Sequence, residues 1–199
     1  MDAILAPADR GKILRFMGDI RMARIQPLEI ERVEPAARAE LDAQLASGGR
    51  VTNMKRTLAH SPTALHALMQ WYPLRDEVLP ILGQRLTVLF AFAVSTQTDC
   101  LICSTFFRRI LLDAGEKPDE LTLDEREQTV VDYGRQLARD ANGVSDELYR
   151  RLASFLQPAQ IVTLTAFGGL MIATNLFNNA LKVDLDDYLQ PYRKADEGR

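Results

Sequence analysis

At 199 residues, with 47% apolar and 26% charged side chains, the chain has the balance of one globular domain large enough to bury a core. A net charge of −3 with no basic cluster argues against nucleic-acid binding, which needs a cationic face. No membrane span is expected, because the most apolar run, "IVTLTAFGGLMIAT", is about 14 residues against the ~20 a span requires. The opening "MDAILAPADRGK" lacks the basic-then-apolar order of a secretory signal, so the expected compartment is the cytoplasm.

Helical signals recur along the chain and strand signals are nearly absent. "VEPAARAELDAQLAS" places Pro35 in a first turn and stops at Gly48-Gly49. "HSPTALHALMQWYP" offers Ser61 as N-cap, with Ala64, Leu65, Leu68 and Met69 at helical spacing. "PILGQRLTVLFAFAVSTQT" is apolar on nearly every side, the pattern of a helix buried all round. The next helix is expected to start near Thr98-Asp99, to carry Cys100, Cys103, Phe107, Ile110 and Leu111 on an inward stripe, and to end at Gly115. "TLDEREQTVVDYGRQLARD" reads as amphipathic with Thr122 as cap and acids at its positive end. "SDELYRRLASFL" repeats that logic from Ser145, and Pro158 opens a long helix to about Leu181. The tail "KVDLDDYLQPYRKADEGR" is polar and is expected to fray at its end. These elements predict an all-α, single-domain helical bundle of about seven or eight helices over residues 1–199, its core spanning roughly 22–190.

Both cysteines lie in "TDCLIC", and Cys100 and Cys103 at the start of a helix suit thiol chemistry. Unpaired backbone N–H groups and the helix dipole favour a thiolate at the first position. The second lies about one turn on, close enough to trap a sulfenic acid or a mixed disulfide. Asp99 opposes the effect by placing a negative charge beside Cys100. The bland alternative is two buried small hydrophobes on a core face. Zinc is poorly supported, because a second ligand pair is missing and the only histidines are His60 and His66. No metal or cofactor is expected.

The ordered set of segments resembles the carboxymuconolactone decarboxylase-like family, in its alkylhydroperoxidase D-type branch. "MARIQPLE" is similar to the family's opening, "RTLAHSPTALHALMQWYPL" to its early helix pair, and "QRLTVLFAFAVSTQTDCLIC" to the helix leading into CxxC. "LLDAGEKPDELTLDEREQTVVDYGRQLARDANGVSDELYRRL" and "LMIATNLFNNALKVDLDD" follow in the family's order. The resemblance implies the alkylhydroperoxidase D-like fold, a homo-oligomer (dimer, trimer or hexamer), and a peroxidase or disulfide reductase served by a thiol/disulfide electron donor protein. It also implies a proton relay: a glutamate twelve residues before the first cysteine and a histidine four residues after the second. Those positions hold Val88 and Phe107 here.

Thiols facing valine and phenylalanine are desolvated without a charged partner, so the sequence predicts pKa values raised above the free value of ~8.5 and a weakened relay. Asp76 and Glu77 are the candidate substitute bases, separated from Val88 by Pro80 and Gly83. His60 and His66 read as a helix-end cation and a packed or surface residue. Gly168-Gly169 reads as a close helix approach, and Asn175 with Asn179 as an i,i+4 pair that satisfies backbone groups or lines a cavity. Two other readings stay open. One is a lyase or isomerase acting on a small organic acid. The other is a non-catalytic oligomeric binding protein whose apolar pocket is lined by Val88, Phe92, Cys103 and Phe107.

Overall fold

The computed structural model describes residues 23–194. The opening segment used for the compartment expectation, and the last five residues of the tail, lie outside that range. Eight α-helices and three short 3-10 turns form the described chain, with no strand among those residues. Helix α1 is Pro35–Ala46, α2 Asn53–Leu58, α3 Pro62–Met69, α4 Pro73–Gln97, α5 Leu101–Asp113, α6 Glu125–Arg139, α7 Asp146–Ala153 and α8 Pro158–Leu181. Proline occupies the first turn of α1, α3, α4 and α8, where its missing N–H has no partner to lose.

Helix α4 is the axis of the molecule, and α5, α6 and α8 pack around it. Its run from Leu86 to Ser95 is almost wholly buried, as its all-round apolarity predicts. At Gly83 the backbone turns to φ 77°, ψ 164°, three residues after Pro80, and divides α4 into two segments. That conformation favours glycine. Phe90 of α4 stacks on Phe167 of α8 at 5.8 Å. Gly168 permits the approach: a Cβ there would lie 2.8 Å from Leu137 and 3.3 Å from the Phe90 ring. The close-packing role expected of Gly168 is therefore present.

Two expectations need correction. Helix α6 is capped by Asp124 in a capping box with Glu127, not by Thr122, because a carboxylate one turn before a glutamate satisfies both donors reciprocally. Thr98 and Asp99 form the corner between α4 and α5, and Cys100 itself is the N-cap. Asp99 takes φ 51°, so the reversal is completed one residue later than the capping pattern suggests. The fraying expected at the end of the tail falls on residues outside the described range, and the tail before it, over residues 183–192, packs on the bundle. Val183, Leu185 and Leu189 are buried, and a 3-10 segment at Asp187–Tyr192 packs on α5. The backbone N–H of Asn53 donates to Asp186 Oδ1 at 2.8 Å, and Asn53 Nδ2 donates to the Asp184 carbonyl at 3.1 Å. Tyr192 donates to Asp113 at 3.1 Å. The apolar residues at 183, 185 and 189 outweigh the polar composition between them.

Two segments, Pro62–Gln97 and Pro158–Leu181, are long and apolar enough to cross a membrane by length and composition alone. The helix at α8 thus extends beyond the 14-residue run visible in the sequence, because threonines and asparagines continue it. Both segments supply core to the bundle.

Candidate active site

The α4–α5 corner positions the cysteines. The Cys100 N–H donates to the Ser95 carbonyl at 3.0 Å and the Asp99 N–H to Thr96 at 3.1 Å, which fixes the turn before α5 begins. Helix α8 braces it with three asparagines. Asn175 Nδ2 donates to Thr98 Oγ1 at 2.9 Å, and Asn179 Nδ2 to the Thr98 carbonyl at 2.8 Å. Asn178, between them, turns its amide to the thiols: Nδ2 reaches Cys103 Sγ at 3.4 Å and Cys100 Sγ at 3.9 Å. Sequence reasoning paired Asn175 with Asn179 and passed over Asn178. No local signal marks which asparagine of α8 meets α5, since that depends on how the two helices cross.

Both cysteines are free thiols and buried. They are not equivalent. Cys103 donates a hydrogen bond to Cys100, and this first, with the N–H groups of Cys103 and Ile102 and the Asn178 amide, pulls the Cys100 thiol below its ordinary range against its own burial. Cys103 moves far the other way, because its proton is engaged by Cys100 and its surroundings are apolar. The expectation that both thiols rise is thus met for Cys103 and reversed for Cys100. A neighbouring S–H and a helix N-terminus outweigh the greasy walls, so of the two thiols Cys100 is the readier to ionise.

Cys103, but not Cys100, lines a cavity of about 780 Å³. Val88 and Phe107 line it as well, whereas Phe92 is half-buried on α4 and is not among the lining residues. Tyr72 stands in the same cavity, kept in its phenol form by burial and by the nearby Cys103. Of the candidate substitute bases, Asp76 reaches the cavity with a side chain 75% exposed and engaged by Arg75, and Glu77 is not among the lining residues. His60 meets the Gln26 carbonyl and His66 meets Glu40, and neither lines the cavity. A second cavity of about 720 Å³ lies on the other side of the corner, against Thr98, Asp99 and Asn179, and Asn178 borders both. Among the described residues, no group of three or more His, Cys, Asp or Glu side chains is placed to hold a metal ion.

The chain shares its all-helical fold with solved structures that include an alkylhydroperoxidase D core. It is similar to the alkylhydroperoxidase AhpD core of an uncharacterized peroxidase-related protein from Ralstonia eutropha JMP134 (TM-score 0.66, 16% identity, 84% of this chain and 94% of that one). The debrominase Bmp8 in its apo form gives a TM-score of 0.69 at 13% identity, covering 84% and 95%. A peroxidase-related protein from Silicibacter sp. TM1040 gives 0.62 at 15% identity, covering 84% and 96%. No protein-family model and no curated protein sequence matches the chain.

Proposed function

We propose that the protein is a dithiol reductase of small electrophiles, acting first as an organic-hydroperoxide peroxidase, with Cys103 as the attacking and Cys100 as the resolving thiol. The observation that carries this is the division of labour in the pair: the sulfur open to the cavity hydrogen-bonds to a neighbour that favours ionisation. Proton transfer from Cys103 to Cys100 within that hydrogen bond frees Cys103 to attack the terminal peroxide oxygen. The O–O bond breaks, the alkoxide leaves and takes the shared proton as an alcohol, and Cys103 becomes a sulfenic acid. Cys100, as thiolate, then attacks the Cys103 sulfur. The S–S bond forms, the S–O bond breaks, and hydroxide departs to be protonated by solvent. A thiol donor protein or small dithiol returns the pair to its reduced state. Cys100 thus stands in for the proton acceptors that Val88 and Phe107 replace.

Peroxide-linked oxidation of dithiothreitol, followed with cumene hydroperoxide, tests this. Turnover is expected in the wild type and is lost in both Cys103→Ser and Cys100→Ser, and only Cys100→Ser gives a trappable sulfenic acid, formed more slowly for want of the Cys100 acceptor. Turnover unchanged in both variants sinks the proposal. The cavity's size favours a second reading, a non-catalytic binding protein, and the same assay separates the two. We further propose that the chain assembles with copies of itself through the outward face of α8, where Val162 and Leu176 are 69% and 67% exposed.

A further inference from the structure

Charged side chains also line the cavity that Cys103 faces. Lys55 is only 5% exposed, and burial lowers its pKa. Its Nζ donates to Gln44 Oε1 at 2.8 Å and to the Arg50 carbonyl at 3.0 Å, both neutral, and it lies 5.4 Å from the Tyr72 ring. Among the described residues it has no carboxylate partner, and an ammonium carries three donors, of which two are used in hydrogen bonds. Arg109 lies over the Phe106 ring at 5.4 Å and over Tyr188 at 5.6 Å, and its Nε is buried without a partner. Its nearest carboxylate, Asp113, is 3.8 Å away and half exposed. Arg50 lies 4.8 Å from the Tyr188 ring, so the two guanidinium groups share one aromatic side chain.

The opposing carboxylates are fewer. Asp186 accepts from Asn53 through Oδ1 and leaves Oδ2 buried and unpartnered. Glu40 is engaged by His66 at 3.0 Å. Arg75 and Asp76, also in the lining, pair with each other, Arg50 is exposed, and Asp113 offsets Arg109 from outside the lining; the unmatched groups are Lys55, buried without a carboxylate, and the buried Nε of Arg109. A buried cation without a counter-charge is costly, and the space beside it is large enough for a small molecule.

We infer that this cavity binds an amphipathic organic monoanion, with a carboxylate head at Lys55 and Arg109 and an apolar body directed along Met171 and Phe107 toward Cys103. The inference deepens the proposed function by naming the class of molecule carried to the thiol, and it rests on that reading only for its relevance to the chemistry. Binding itself needs no thiol.

Isothermal titration of the Cys103→Ser protein with 1-naphthoate and with its uncharged counterpart 1-naphthalenemethanol tests it. Naphthoate is expected to bind about ten-fold or more tightly than the alcohol, since a charge-assisted contact is about twice as strong as a neutral one. Arg109→Met and Lys55→Met are expected to remove about ten-fold of the naphthoate affinity and to leave the alcohol within about two-fold. Circular dichroism checks folding, and Arg109→Met decides alone if Lys55→Met does not fold. The exposed-site control Lys194→Met is expected to change neither affinity. Equal binding of the two probes, equal loss of both in the variants, or no saturable binding of either overturns the inference. A charge-selective cavity in a protein without peroxide turnover would remove the redox proposal and leave this one standing, and the converse result would do the reverse.

Discussion

Cys100 and Cys103 differ by a single turn of helix, yet their environments push their protons in opposite directions. The stabilising donor for Cys100 is first the Cys103 thiol. Removing a group that favours the charged form raises a pKa, so Cys103→Ala is expected to shift the thiolate absorbance of Cys100 to higher pH. Other groups around the pair are Asn178, which donates to both sulfurs, Tyr72 and Tyr188, which respond to the Cys103 charge, and the adjacent Asp99. In the wild type the first thiolate is expected to appear below the ordinary thiol range of ~8.5, and an ultraviolet titration reads both values. Val88 and Phe107 lie in the same cavity as Cys103, so a relay can be rebuilt there. Val88→Glu combined with Phe107→His is expected to raise peroxide-linked turnover by about ten-fold, at the low side of what general acid–base help supplies. No gain would mean that the Cys100 thiolate already performs that role.

At the scale of helices, Gly134 of α6 faces the centre of α4. A Cβ at that position would sit 3.0 Å from two Phe90 ring atoms and 3.2 Å from Val94, and the ring is fully buried against Phe167. Gly134→Ala gains up to about 1 kcal/mol of helix propensity but overpacks a site that cannot yield, at about 1–3 kcal/mol. A net loss of about 1 kcal/mol is expected, visible as a Tm lowered by about 2–4 °C. An increase in Tm would show that the α4–α6 contact has slack. Helix identities and most ends were legible in the sequence because caps, prolines and spacing are local: Ser61, Ser145, Pro158 and Gly115 act where expected. The candidate site was half legible. Cys100 and Cys103 follow from the CxxC spacing, and Val88 and Phe107 are singled out only because the family resemblance puts its relay there. Asn178, Lys55, Arg109 and Asp186 follow from neither, because α2, α5, α8 and the C-terminal segment meet only in the folded chain. Asp186 shows why such a contact leaves no local mark: its charge reads as solvent-seeking, whereas its Oδ1 pins α2.

Across the whole molecule, apolar surface is left over on one side. Val162 and Leu176 of α8 point outward, and Trp71, 45% exposed, lies beside Gly169 of the same helix. A paired Val162→Glu and Leu176→Glu variant is expected to elute as a monomer in size-exclusion chromatography with light scattering, where the wild type elutes as an oligomer. The thiols and their cavity are on other faces of α8, reached through Asn178 and Met171, so the monomer is expected to keep its ultraviolet thiolate titration. A monomeric wild type would end the assembly proposal without touching the chemistry.

Asp186, Tyr188 and Leu189 belong to the segment that closes over α5, and all three form part of the cavity wall. The wall of the chamber that Cys103 faces is thus assembled from stretches far apart in sequence, and a cut between α8 and this segment would leave that side open to bulk water.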